Sequence, residues 1–231
     1  QAPVLVDLFE REFIETQEAV GMTIGGLFRD RDDPDRFVWW RGFASMETRR
    51  QALEAFYGGP VWARHRAAAN ATMIDSDDVH LLRPTAPAHP PTAPVHRQES
   101  AGATESAEWH VAVAYTSPPS TQTEAWLCTD LHALLEDRLG TTVAMWRTEP
   151  ATNTFPALPV REDNTLVWTA AFPDAGAHDE AFGRLAADPL WRREIGPRIA
   201  ETATSHRTLR LQPTSRSRHP ACGLREPTVS P

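Results

Sequence analysis

The strongest constraint on how this chain folds is that part of it repeats. Displacing residues 38–85 by 129 positions gives twelve identities over 48 aligned positions, without a gap. Val38, Trp39 and Phe43 fall on Val167, Trp168 and Phe172. Pro60, Trp62 and Arg64 fall on Pro189, Trp191 and Arg193, and Leu82, Pro84 and Thr85 fall on Leu211, Pro213 and Thr214. Tryptophan is a rare residue, so two matched tryptophans argue strongly against coincidence. Self-similarity at a fixed displacement predicts two copies of one supersecondary unit.

The unit is clearest in the second copy. His110–Tyr115 has strand character, and Leu127, Leu131, Leu134, Leu135 and Leu139 make one apolar helical stripe. Gly140 is placed to cap that helix, ahead of a strand over Thr142–Trp146. A proline-punctuated loop leads to a strand over Leu166–Phe172. Asp188-Pro189 then opens a helix reaching about Ile199, and Arg207–Leu211 closes the unit. The order β-α-β-β-α-β is the ferredoxin-like, split-βαβ pattern. In the first copy Leu5, Leu8, Phe9 and Phe13 already form the first helix. Strands over Met22–Phe28, Arg36–Phe43 and Val79–Leu82 and helices over Met46–Tyr57 and Pro60–Asn70 follow. Its opening strand is absent, so either the chain is shortened at its N-terminus or another element fills that place. Between the units, residues 84–108 are rich in proline and alanine and lack hydrophobic periodicity, which predicts an extended linker. The expected organisation is therefore 1–83, first module; 84–108, linker; 109–211, second module; and 212–231, flexible tail.

Composition removes several functions. The net charge of −8 and the lack of a basic run argue against a nucleic-acid partner. All 23 basic residues are arginine, which excludes lysine Schiff-base chemistry and the phosphate-binding lysines of nucleotide enzymes. Two cysteines, Cys128 and Cys222, cannot build a disulfide framework or a multi-cysteine metal site, so the expected location is cytoplasmic and no metal is expected. No apolar run is long enough to span a membrane.

Four segments carry a family resemblance. F-R-D-R-D-D-P-D-R-F-V-W-W-R-G-F (Phe28–Phe43), A-F-Y-G-G-P-V-W (Ala55–Trp62), D-S-D-D-V-H-L-L-R-P (Asp75–Pro84) and F-P-A-L-P-V-R-E (Phe155–Glu162) resemble the NIPSNAP family. The resemblance covers nearly everything outside the linker and the tail. It implies an α+β fold: two tandem ferredoxin-like modules forming an intramolecular dimeric α/β barrel, from which this chain departs by the missing first strand. The wider barrel superfamily contains cofactor-free oxygenases, polyketide cyclases, isomerases, haem-degrading enzymes and plain ligand binders, and fold does not choose among them.

The residues add candidates of their own. Period-two alternation in Phe37–Phe43 puts Arg41 on one face with Phe37, Trp39 and Phe43, where it could bind a carboxylate or stabilise an enolate; the plainer role is a strand-end ion pair. His65, three residues after Trp62, could act as a general base or an axial haem ligand, or be a solvated helix histidine. His110 shares a face with Ala112 and Ala114, which leave room for a ligand or for a close-packed helix. Trp39, Trp40, Tyr57, Trp62, Tyr115 and Trp146 are the aromatic candidates for substrate binding, against a role as core filling. The acidic run Asp30–Asp35 lacks the spacing of a calcium loop and reads as a turn.

The expectation is a cofactor-independent oxygenase, cyclase or isomerase acting on a hydrophobic, oxygenated small molecule, as in specialised metabolism. Arg41, His65 and His110 would carry the chemistry. The rival expectation is a non-catalytic small-molecule binder or scaffold, and a haem-binding variant would rest on His65. A homo-oligomer is compatible with either.

Overall fold

The computed structural model describes residues 1–85, 107–116, 123 and 125–217. The linker expected at 84–108 and the tail at 212–231 fall mostly outside these residues, as does Cys222. Helix α1 (Ala2–Leu8) passes through a wide π turn at Phe9–Phe13 into α2 (Ile14–Ala19). There follow β1 (Thr23–Asp30), β2 (Phe37–Gly42), α3 (Met46–Tyr57), α4 (Pro60–Thr72) and β3 (Leu82–Pro84). The second half comprises β4 (Glu108–Thr116), a π turn at Trp126–Leu131 leading into α5 (His132–Leu139), β5 (Val143–Thr148), β6 (Thr165–Phe172) and α6 (Ala175–Ala187). A third π segment, Trp191–Ile195, leads into α7 (Gly196–Thr202), and β7 (Ala203–Pro213) ends the fold.

Local chemistry sets the boundaries. Ser45 caps α3 in a reciprocal box with Thr48, and Asp174, 129 positions later, caps α6 by accepting from Ala177 N at 2.8 Å. Asp188 accepts from Trp191 N at 2.9 Å and starts the last helical run, while Gly140 ends α5 at φ +69°. The third strand begins later than Val79–Leu82 predicts. Asp77 N bonds to Asp75 Oδ1 at 2.8 Å, and this turn chemistry keeps the preceding residues irregular.

The seven strands form one antiparallel sheet in the order β2-β1-β7-β4-β6-β5-β3. It curls strongly. Four strands separate β2 from β5, yet the Trp40 and Trp146 rings lie 5.0 Å apart. Phe28, Trp109, Val111, Val113, Val167, Leu209 and Leu211 fill the inner side of the curl, with Trp40, Tyr115 and Trp146 against them. The outer side is covered by helices over two separate cores. One lies beneath α1–α4 around Phe13, Ile24, Leu53 and Phe56, the other beneath α5–α7 around Leu135, Val143 and Leu185. Strands buried on both faces lose polar alternation, which explains the apolar runs of β1, β4 and β6. No helix among the described residues is long and apolar enough to cross a membrane.

Candidate functional site

Strand β2 distributes its side chains as its alternation predicts. Val38 and Trp40 join the inner cluster, while Phe37, Trp39 and Arg41 face the helices. There Arg41 enters a recess of about 50 Å³ lined by Phe9, Phe13, Gln17, Trp39, Tyr57 and Trp62, among others. Arg41 Nη1 donates to Gln17 Oε1 at 3.2 Å and to Tyr57 Oη at 3.4 Å. Gln17 is buried and its Nε2 donates to the Phe13 carbonyl at 3.0 Å, so its oxygen is the end turned to Arg41. The carbonyl belongs to the π turn, where irregular helical geometry alters backbone pairing.

A second guanidinium lies outside that lining, yet near enough for its charge to interact with that of Arg41. Arg49 lies on the buried stripe of α3 with Ala52, Leu53 and Phe56. Its Nη1 donates to Asn153 Oδ1 at 2.9 Å and reaches Thr154 Oγ1 at 3.4 Å. Burial pushes Arg49 below the ordinary arginine value, and the Arg41 charge adds to that. Asn153 and Thr154 come from the β5–β6 loop of the second half. The same loop lays Phe155 flat on Tyr57, with centroids 5.7 Å apart and planes 15° apart. The F-P-A-L-P-V-R-E segment therefore packs on the first half, with Phe155 on Tyr57 and both Phe155 and Leu158 against its core.

The nine candidate residues occupy four places. Arg41, Trp39, Tyr57 and Trp62 share the recess. His65 does not line it; the imidazole sits edge-on to Phe13 with Nε2 3.6 Å from Glu12 Oε2. Trp40, Tyr115 and Trp146 pack inside the curl. His110 is in the second half, its ring against Trp168 and Phe182 at 5.0 and 4.2 Å. Arg41, His65 and His110 thus do not converge on one site.

His110 instead heads a polar chain that pattern reading missed. Its Nδ1 lies 3.2 Å from His178 Nε2, and His178 Nδ1 lies 2.9 Å from Asp179 Oδ1. A carboxylate only accepts, so His178 Nδ1 is the donor to Asp179. The hydrogen bond from His178 holds Asp179 below the usual carboxylate range, aided by the charges of Arg210 and Arg31. Arg210 bridges Asp179 at 3.0 Å to the fully buried Glu108 at 2.8 Å, and Arg31 completes the neutralisation of Glu108 at 2.8 Å. A signal for His178 was in the repeat: it stands 129 positions after Arg49, so both copies place a polar residue on the helix face that meets the sheet.

Among the described residues, no group of three histidine, cysteine or acidic side chains is placed to hold a metal ion. Taken together, fold and site define an α+β protein built on one curled antiparallel sheet, with a small aromatic, arginine-bearing recess between sheet and helices. No protein-family model matches the chain, and neither does any curated protein. Among solved structures it is similar to a monooxygenase-like protein from Fusobacterium nucleatum subsp. nucleatum, with a TM-score of 0.49 and 10% identity over 90% of this chain and 83% of that one. It is also similar to a monooxygenase-like protein from Lactobacillus acidophilus NCFM, with a TM-score of 0.47 and 10% identity over 91% and 90% of the two chains. A third is an anthrone oxidase-like protein, with a TM-score of 0.48 and 12% identity over 93% and 86%.

Proposed function

We propose that this chain is a cofactor-independent enzyme that binds a hydrophobic, oxygenated small molecule in the Arg41 recess, and that its reaction is of the oxygenase, cyclase or isomerase type. The fold reading that accompanies it is a NIPSNAP-type dimeric α/β barrel made by two ferredoxin-like halves. Sheet order supports this reading. Strands β7-β4-β6-β5 stand in the order 4-1-3-2 of their own unit, and β3, β2 and β1 take positions 4, 3 and 2 of the other. Position 1 of that unit lies between the outer edges of β2 and β3.

One observation carries the functional reading. Among the described residues Arg41 reaches only neutral oxygens, at 3.2 and 3.4 Å, beside aromatic walls. A guanidinium in that setting binds a carboxylate or a developing enolate oxygen far better than it would in water. Tyr57, within hydrogen-bonding reach of it, is the lining residue with a proton to exchange. The recess holds about 50 Å³, whereas a benzene-sized ring needs about 150 Å³. Substrate therefore enters by displacing half-buried groups, of which Trp39, Tyr57 and Trp62 line the recess.

Turnover of phenols and 1,3-diketones, followed by oxygen uptake and product analysis, tests the proposal. Arg41→Ala is expected to lower kcat/KM by about a hundredfold; an unchanged value overturns it. The second reading, a non-catalytic binder, draws on the position of His65 and His110 outside the recess. Saturable binding of these compounds with no conversion of any of them is its signature.

A further inference from the structure

The buried carboxylates among the described residues are compensated. Glu108 meets Arg31 and Arg210, and Asp30 meets Arg36 at 2.6 Å. Arg49 is 2% exposed and has no carboxylate partner among the described residues. Arg41 has none either. Their four acceptors, Gln17, Tyr57, Asn153 and Thr154, are all neutral. The two amide acceptors are also locked: Gln17 by the Phe13 carbonyl and Asn153 by the Leu158 carbonyl at 2.9 Å, with Phe155 N donating to Asn153 Oδ1 at 3.0 Å. An isolated buried cation is costly, and here a second cation adds repulsion, since Arg41 acts on Arg49 in the unfavourable sense. The neighbours of Arg49 on its own helix face are apolar: Ala52, Leu53 and Phe56.

We propose that Arg41 and Arg49 form a paired anion site that takes the carboxylate or enolate oxygens of an aromatic ligand, whose rings lie against Trp39, Tyr57 and Trp62. The inference rests on the recess reading above and narrows it to anionic ligands. Arg41 comes from β2, Arg49 from α3 and their neutral partners from α2, α3 and the β5–β6 loop, so the pair is held by both halves of the chain. Two guanidiniums can each give a charge-assisted hydrogen bond to one oxygen of a planar anion. Phe155 of the β5–β6 loop stacks on Tyr57 of the lining and bonds to Asn153, which links the acceptor of Arg49 to the aromatic side of the recess.

Isothermal titration of the full chain with 2-naphthoate and 2-naphthamide separates the outcomes, because these probes share rings and shape and differ in charge. Wild type is expected to bind the acid at least about tenfold more tightly than the amide. Arg41→Met and Arg49→Met should each lose that margin and keep the amide affinity. Thermal melting without ligand supplies a second readout. Removing an uncompensated charge leaves Tm unchanged or raised in Arg49→Met, whereas a guanidinium that only pins the loop would lower Tm on removal. Equal affinities for acid and amide in wild type overturn the anion pair and leave the recess standing. Failure to bind either probe at millimolar concentration overturns both. A lower Tm in Arg49→Met with the acid preference intact assigns Arg49 to structure and overturns its place in the pair.

Discussion

His110 shows how burial turns a titratable residue into a pH-dependent part of the fold. Burial first, then the neighbouring His178 and Arg210, push its imidazole from the ordinary 6.5 down to about 3. The folded protein therefore keeps His110 neutral where an unfolded chain would protonate it. Its contribution to stability is complete above pH 6.5 and is lost as the pH falls towards 3, at about 1.4 kcal/mol for each pH unit. His80, lowered chiefly by burial, acts in the same sense. Denaturant unfolding at about pH 7.5 and about pH 5.5 is expected to show wild type weakening on acidification, and His110→Leu weakening less. Equal pH slopes for the two proteins would contradict a buried neutral His110. The same residue shows what pattern reading misses. Alternation places it correctly on a face with Ala112 and Ala114, but nothing along β4 announces His178, 68 residues away. Arg49 was legible in principle, as an arginine on an otherwise apolar helical stripe. Its partners, more than a hundred positions distant, were not.

At the scale of elements, the β1–β2 hairpin sets the geometry of the recess. Its register shifts between Ile24 and Leu27, so Gly25 and Gly26 together oppose Trp40. Such a bulge bends the strand and re-aims side chains. Here it stands beside the point where Trp40 turns inward and Arg41 outward. Gly26 has no freedom to become anything larger, because a Cβ there would lie 2.1 Å from the ring of Phe28, which is 1% exposed. Gly26→Ala is expected to cost about 1–3 kcal/mol through overpacking and to weaken ligand binding through the displaced β2. Denaturant unfolding checks the first effect and titration the second. Gly25→Ala is the control, since its Cβ would meet Trp40 only at ordinary contact distances from 3.5 Å. Boundaries of this kind follow from nearby residues, which is why the caps at Asp188 and Gly140 are visible in the sequence. The π turns at Phe9–Phe13 and Trp126–Leu131 leave no such mark. A stripe at i, i+4, i+7 and i+8 fits a regular helix as well as one with a widened turn.

At the scale of the whole molecule, the duplication foretold paired elements at matched positions but not that they would share a single sheet. β1 meets β7 and β3 meets β5 across the two halves, through contacts that no periodicity within either half encodes. The sheet ends at β2 and β3, and these edges differ. β3 has three residues, one of them Pro84, and offers little for another strand to pair with. β2 has six residues, Phe37–Gly42, none of them proline, with aromatic side chains on both faces. Pairing on one side only should leave alternate amides of β2 exchanging with solvent far faster than those of β4, which is paired on both sides by β6 and β7. Hydrogen exchange resolved to single amides measures this. The expected result is alternating protection along residues 37–42 and continuous protection along residues 109–115. Continuous protection in both strands would mean that an eighth strand occupies the position between β2 and β3. It would then pair with β2, the strand that carries Arg41, and could bring its own residues to the edge of the recess.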